Sequence, residues 1–183
     1  MSYRSTRPSP DPRLGRGSLR ALALATLLVA LPAEVPAFAG NSAVVFMYHR
    51  FGESTYPSTN STIAQLEAHI KELTSGKYNV IPLPEIVDAI RAGGILADRT
   101  VGISIDDGFK SAYIEAWPRL RAAKLPFTIF IATDPIDRKY TNYMNWDQVR
   151  EIAASPLVTI GSQTASHPHM PMLDAPKNAD ELK

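Results

Sequence analysis

The chain has 183 residues, 45% of them hydrophobic and 20% charged, with a formal net charge of +1. These values suit a globular protein of about one domain and exclude a disordered chain. Cysteine is absent, so no disulfide framework is available.

The first forty residues stand apart. Arg4, Arg7, Arg13, Arg16 and Arg20 make a basic leader, followed by an Ala- and Leu-rich apolar run from Leu19 to Leu31. Ala37-Phe38-Ala39 then forms a small-x-small cleavage site before Gly40. Basic, apolar and small residues in that order predict a secretory signal peptide over 1–39 and an exported mature chain, periplasmic or extracellular. The apolar run falls short of the ~20 residues that cross a bilayer. An uncleaved leader is the alternative, and is the one membrane attachment expected. No Arg-Arg pair is present, which favours the general secretory route over the twin-arginine one. Removing the leader takes away five of the 19 basic and two of the 18 acidic residues, leaving a net charge of −2. The positive charge is therefore a property of the leader, and no nucleic-acid partner is expected.

In the mature chain, Ala43 to Tyr48 is a short apolar run of the kind expected for a strand buried on both faces, and His49 follows it directly. Gly52 to Thr62 is rich in Ser, Thr and Pro and reads as a loop. Thr62 and Gln65 form a capping box for a helix carrying Ile63, Leu66, Ile70 and Leu73 on one face, which Gly76 ends. Tyr78 to Ile81 predicts a second strand. A helix opening at Pro84, with Ile86, Val87 and Ile90 on one face, stops at Gly93-Gly94. Thr100 to Ile105 predicts a third strand ending in Asp106-Asp107-Gly108. Ser111 to Lys124 has helical character, which Pro118 must break or kink. Phe127 to Ala132 predicts a fourth strand. Asn145 and Gln148 cap another helix reaching about Ala154, and Leu157 to Ile160 leads as a fifth strand into Gly161-Ser162-Gln163. The tail from Asp174 to Lys183 is charged and contains Pro and Ala.

Strands alternating with helices, without a hairpin signal, imply parallel strands in a β/α barrel or a doubly wound sheet. No strand leads into GxGxxG or GxxxxGKS, which weakens a nucleotide-binding reading. In parallel β/α folds the chemistry collects on the loops that leave the strands. Two polar clusters lie on such loops: Asp106-Asp107-Gly108, and Gln163 to His169. Adjacent carboxylates after an apolar strand are costly unless compensated, and a divalent cation would compensate them. One Asp can then hold the metal while the other serves as general base. The plain alternative is a turn or cap, since Asp-Gly is a common turn dipeptide. His167 and His169, separated by Pro168, suit zinc or a similar metal, or are surface loop histidines. His49 could face the same mouth as a rim residue or a ligand.

Together these segments resemble the polysaccharide deacetylase (NodB-homology) family, from Ala43 to about Leu173. Ser104-Ile105-Asp106-Asp107-Gly108-Phe109 is similar to its Thr/Ser-Phe-Asp-Asp-Gly motif. Pro126-Phe127-Thr128-Ile129-Phe130 is similar to its Pro-Ala-Thr-Phe-Phe strand. Ile160 to His169 is similar to Ile-Gly-Ser-His-Thr-x-Ser-His-Pro, and Met47-Tyr48-His49 occurs in a branch of the family. The resemblance implies a distorted β/α barrel over 43–183 and a divalent metal, often zinc, held by one Asp and two His. By position, Asp106 is the implied base, Asp107 and His167 implied ligands. The implied activity is removal of N-acetyl groups from a polysaccharide or chitooligosaccharide, with water activated at the metal and deprotonated by Asp106.

Two features depart from the family pattern. Gln163 stands where the first metal histidine is expected, and a neutral amide oxygen is a poorer zinc ligand than imidazole. Metal binding then relies on Asp107 and His167 with His49 or His169 added, or is lost, leaving a non-catalytic carbohydrate-binding relative. Hydrolysis of a small amide is a third reading of the same residues. The chain also stops at Lys183, before the family's arginine motif and late catalytic histidine. About five strands of the roughly seven or eight in a closed barrel are expected, and the 183-residue chain alone is expected to be inactive and aggregation-prone.

Overall fold

The computed structural model describes residues 41–172 and 174–182; the leader read over 1–39 lies outside them. Among the described residues there are seven strands. β1 (Val44–Tyr48), β4 (Asn79–Val80), β5 (Thr100–Ile105), β6 (Phe127–Ile131) and β7 (Val158–Ser162) form one sheet in the order β1-β5-β6-β7, with β4 also paired to β5. Every pairing is parallel, with Tyr48 opposite Ile105, Ile105 opposite Ile129, and Ile129 opposite Ile160. β2 (Arg50–Phe51) and β3 (Asn60–Ser61) make a separate two-stranded parallel pair. Among the described residues the strands do not close into a ring.

Parallel strands require crossovers, and the helices supply them. α1 (Ile63–Leu73) begins at a complete capping box: the Gln65 N–H donates to Thr62 Oγ1 and the Thr62 N–H donates to Gln65 Oε1. α2 (Leu83–Arg91) carries Pro84 in its first turn, where no intrahelical N–H is needed. Between β5 and β6 the chain runs through one π-helical turn, Ala112–Ala116, into α3 (Trp117–Ala122). The break expected at Pro118 takes this form. Pro118 has no N–H to donate, and the Trp117 N–H reaches back five residues to the Ala112 carbonyl. α5 (Trp146–Ala153) repeats the reciprocal box with Asn145 and Gln148.

The core lies on β5 and β6 and the helices packed against them. All six residues of β5 are buried, and Ile103, Ile105, Phe127 and Ile129 meet Leu66, Trp117, Leu120, Val149 and Ile152. β1 departs from expectation. It is an edge strand, hydrogen-bonded to β5 alone, and Val44 to Met47 are exposed, with Met47 at 62%. An apolar run cannot distinguish a central strand from an edge one. The loop expected over 52–62 contains β3, and α4 (Thr133–Asp137) follows β6 directly. The charged tail is helical as α6 (Ala175–Glu181), capped by the Asp174 side chain, which accepts from the Lys177 N–H.

Candidate functional site

Parallel strands bring their C-terminal ends to one side of a sheet, and the chemistry-bearing loops gather there. His49 follows β1, Asp106 and Asp107 follow β5, and Gln163 follows β7. The backbone joins these tips. The Asp106 N–H donates to the Tyr48 carbonyl at 2.8 Å, and the Gln163 N–H donates to the Ile131 carbonyl at 2.9 Å.

Asp107 turns the chain sharply. Its φ is +72° and that of Gly108 is +78°. An Asp tolerates this left-handed conformation better than most residues, and glycine adopts it freely. A Cβ at Gly108 would also lie 3.2 Å from Ile131 Cγ2, a tight contact that adds to the strain of the left-handed φ. The turn is latched from β7, since Gln163 Oε1 accepts a hydrogen bond of 2.8 Å from the Asp107 N–H.

The second loop is held on both flanks. The Asp134 N–H, in the first turn of α4, donates to the Ala165 carbonyl. From α6, the Glu181 carbonyl accepts from the Ala165 N–H, and the Glu181 carboxylate accepts from the Ser166 N–H and hydroxyl, both at 2.7 Å. Thr164 Oγ1 accepts from the His167 N–H, whose residue also has a left-handed φ of +58°. So braced, His167 Nε2 stands 3.6 Å from Asp107 Oδ1, while His49 Nε2 stands 4.0 Å from Asp106 Oδ2. Burial, and next the neighbouring Asp107 carboxylate, push the Asp106 carboxyl above the usual aspartate range; His49 and His167 act in the opposite direction.

The Asp107–His167 pair can be tested as a metal site. A tetrahedral cation with bonds of about 2.1 Å holds its donors roughly 3.4 Å apart. The observed 3.6 Å matches, so these two side chains suit a shared divalent ion. Gln163 adds only a neutral oxygen, already accepting the Asp107 N–H. Among the described residues no three His, Asp or Glu side chains converge as a metal-holding group. His169 is exposed.

Sequence reading overlooked two neighbours of this site. Arg50 is buried, its guanidinium 3.4 Å from the Phe109 ring centroid and 4.0 Å from that of Tyr56, with Nη1 donating to Glu53 at 2.9 Å. The Tyr143 ring lies 4.7 Å from that of Phe109. Its hydroxyl is pushed up by burial and next by the Asp107 carboxylate, which places it within that carboxylate's field. No motif signals either residue, because both act through contacts between loops distant in sequence.

An open, distorted β/α barrel whose strand tips present an acid pair and histidines defines the class. Residues 93–183, about half of the chain, match the polysaccharide deacetylase family, and the chain belongs to that family. It is 29% identical to the poly-beta-1,6-N-acetyl-D-glucosamine N-deacetylase of Escherichia coli K12, over 50% of this chain and 16% of that protein. The structure of IcaB from Ammonifex degensii superposes with a TM-score of 0.63 at 25% identity, covering 75% of this chain and 58% of that one. The Streptococcus pyogenes deacetylase PplD, in complex with acetate, superposes at 0.68 with 16% identity, over 77% and 64% of the two chains; at that identity the likeness is one of fold. The chain therefore spans less than two thirds of the length of each of these relatives.

Proposed function

We propose that the chain carries the hydrolytic centre of an exported enzyme that removes N-acetyl groups from a polysaccharide or oligosaccharide of N-acetylated amino sugar. One observation carries the reading: Asp106 and Asp107 leave the tip of β5 side by side, each facing a different histidine. Two adjacent carboxylates thereby acquire separate roles.

Asp107 and His167 would hold a divalent cation such as zinc, which when bound polarises the acetamide carbonyl and favours negative charge on its oxygen. Asp106, with its carboxyl raised by burial, accepts the proton of a water molecule as that water's oxygen bonds to the carbonyl carbon. The carbon–nitrogen bond then breaks, and the departing nitrogen takes up a proton. His49, 4.0 Å from Asp106, is the side chain able to pass that proton on. The products are acetate and a free sugar amine. The basic, apolar and small-residue order of 1–39 supports export through a cleaved leader.

Gln163 favours a second reading, in which a carbohydrate-binding relative keeps the scaffold without tight metal binding. Its amide supports the Asp107 turn without adding a charged or imidazole donor. Acetate release from N-acetylglucosamine oligomers in the presence of zinc separates the two. In a protein that extends this chain to the length of its relatives, turnover that Asp106→Asn abolishes supports the enzyme; oligomer binding with no acetate and no retained zinc supports the binder.

A further inference from the structure

Along the segment that leaves the acid pair, from Lys110 to the strap over 139–147, lies a cavity of about 480 Å³ that the proposed chemistry does not use. Its size falls within the roughly 300–1,000 Å³ of small-molecule sites. Tyr140, Tyr143 and Trp146 line it together with three charged residues, Lys110, Lys139 and Asp147. The strap that carries these rings is bonded to the segment leaving Asp107. The Met144 N–H donates to the Gly108 carbonyl at 3.0 Å, the Lys110 N–H to the Asn142 carbonyl at 2.8 Å, and Phe109 pairs antiparallel with Tyr143. Tyr143 belongs to both places, in the cavity wall and with its ring 4.7 Å from that of Phe109, two residues beyond Asp107.

We infer that this cavity is a subsite for a second sugar of the glycan chain, an uncharged N-acetylated hexosamine next to the one being hydrolysed; the inference rests on the deacetylase reading. The chemistry of the lining supports it. Aromatic faces pack against the C–H faces of a pyranose, and Tyr hydroxyls and ammonium groups donate to its hydroxyl and acetamide oxygens. Among the described residues neither Lys110 nor Lys139 has an ion-pair partner. The Asp147 carboxylate in the same wall is held by Arg150, so the two lysine ammonium groups leave the lining net positive and repel the protonated amine of an already deacetylated sugar. The cavity thus selects stretches of chain that still carry acetyl groups.

Tryptophan emission reads the cavity directly. Trp146 lines it, whereas Trp117, the other tryptophan, is 5% exposed in the core against Phe127. The Asp106→Asn protein, which cannot consume the ligand, is titrated with N-acetylglucosamine monomer, with its tetramer and with the fully deacetylated tetramer. The acetylated tetramer is expected to shift the emission saturably, and Trp146→Phe to remove the response. Tyr140 is 49% exposed, so Tyr140→Ala spares the fold; it should weaken the tetramer about tenfold and more than it weakens the monomer. A silent Trp146 under conditions where the wild-type protein releases acetate from the tetramer would overturn the subsite and leave the enzyme reading intact. A saturable Trp146 response without acetate release would sustain the subsite as a glycan site and sink the catalytic reading. Binding of the deacetylated tetramer as tight as that of the acetylated one would refute the selection by Lys110 and Lys139.

Discussion

Gln163 Oε1 accepts the backbone N–H of Asp107 at 2.8 Å, so the side chain standing where a metal histidine was expected instead latches the tip of β7 to the turn after β5. The turn it holds has a left-handed φ at a residue other than glycine, a conformation that persists only where the surroundings support it. Gln163→Ala should therefore cost about 1 kcal/mol of stability in denaturant titration. Gln163→His trades the latch for an imidazole beside Asp107 and His167. Its affinity for zinc, measured by competition with a chromogenic chelator, should rise by about tenfold or more. An unaltered affinity would mean that position 163 does not face the ion.

Asp106 is predicted to be dispensable for folding and indispensable for turnover. Asp106→Asn should lower acetate release by roughly 10²–10⁴-fold, the usual weight of a general base, while zinc binding through Asp107 and His167 persists. In metal-free protein the same exchange has a thermodynamic signature. The folded state raises the Asp106 carboxyl through burial, so it prefers the protonated form and is penalised when that carboxyl ionises. The penalty is full at pH above the raised value and vanishes below the ordinary aspartate value of about 3.9. Asp106→Asn should accordingly melt at higher temperature than wild type at pH 7, with the gain shrinking towards pH 4. A constant difference across that range would show that burial of this carboxyl is not what the exchange relieves.

The parts of the fold that repeat a local rule were legible in the sequence. The capping boxes at Thr62 and Asn145 are stated by residues three apart, and both helices start there. The apolar runs around Ile103 and Ile129 are buried strands, and the loops leaving the strands carry the polar clusters. The Asp107–His167 approach was legible through the family resemblance, because the motif pair encodes two strand tips. Contacts made across the chain were not legible. The strand-end position of His49 pointed to the same mouth, but nothing in Met47-Tyr48-His49-Arg50 says that β1 is an exposed edge, that Asp106 is the carboxylate His49 faces, or that Arg50 lies between two rings. The tail was read only as charged and containing Pro and Ala, although Asp174 as a cap and Pro176 in the first turn are helix-start signals. Its helix is supported at the start by the Asp174 cap, and Glu181 at its far end bonds the 165–166 loop.

Arg50 fixes the segment after β1 onto the segment after Asp107. Its guanidinium lies between the Tyr56 and Phe109 rings, and Glu53, its ion partner, also accepts from the Ser111 hydroxyl. Arg50→Ala leaves Glu53 without its cation and two rings without their filling, at an expected cost of roughly 2–4 kcal/mol. Arg50→Lys keeps the charge but not the planar stack, and should recover only part of that loss. If lysine restored full stability in denaturant titration, charge alone would explain the site and the stacking would carry no weight.

Glu181 ties α6 to the loop bearing His167, and its titration reports that tie. Hydrogen bonds from the Ser166 backbone and then the Ser166 hydroxyl hold its carboxyl below the usual glutamate range. A depressed folded value means that the ionised form is favoured in the folded protein. The contribution is complete above the ordinary glutamate value of about 4.3 and is lost as pH falls through the lower folded one. The Ser166 amide resonance in an NMR titration should therefore move with a midpoint below that of free glutamate, and Glu181→Gln should remove the transition. The same exchange weakens two charge-assisted bonds to the loop, so the His167 ring resonances should broaden or shift although His167 and Glu181 are fourteen residues apart in sequence. A Ser166 midpoint at or above the ordinary value would show that the carboxylate does not hold the loop in solution, and that His167 is set in place by Thr164 and α4 alone.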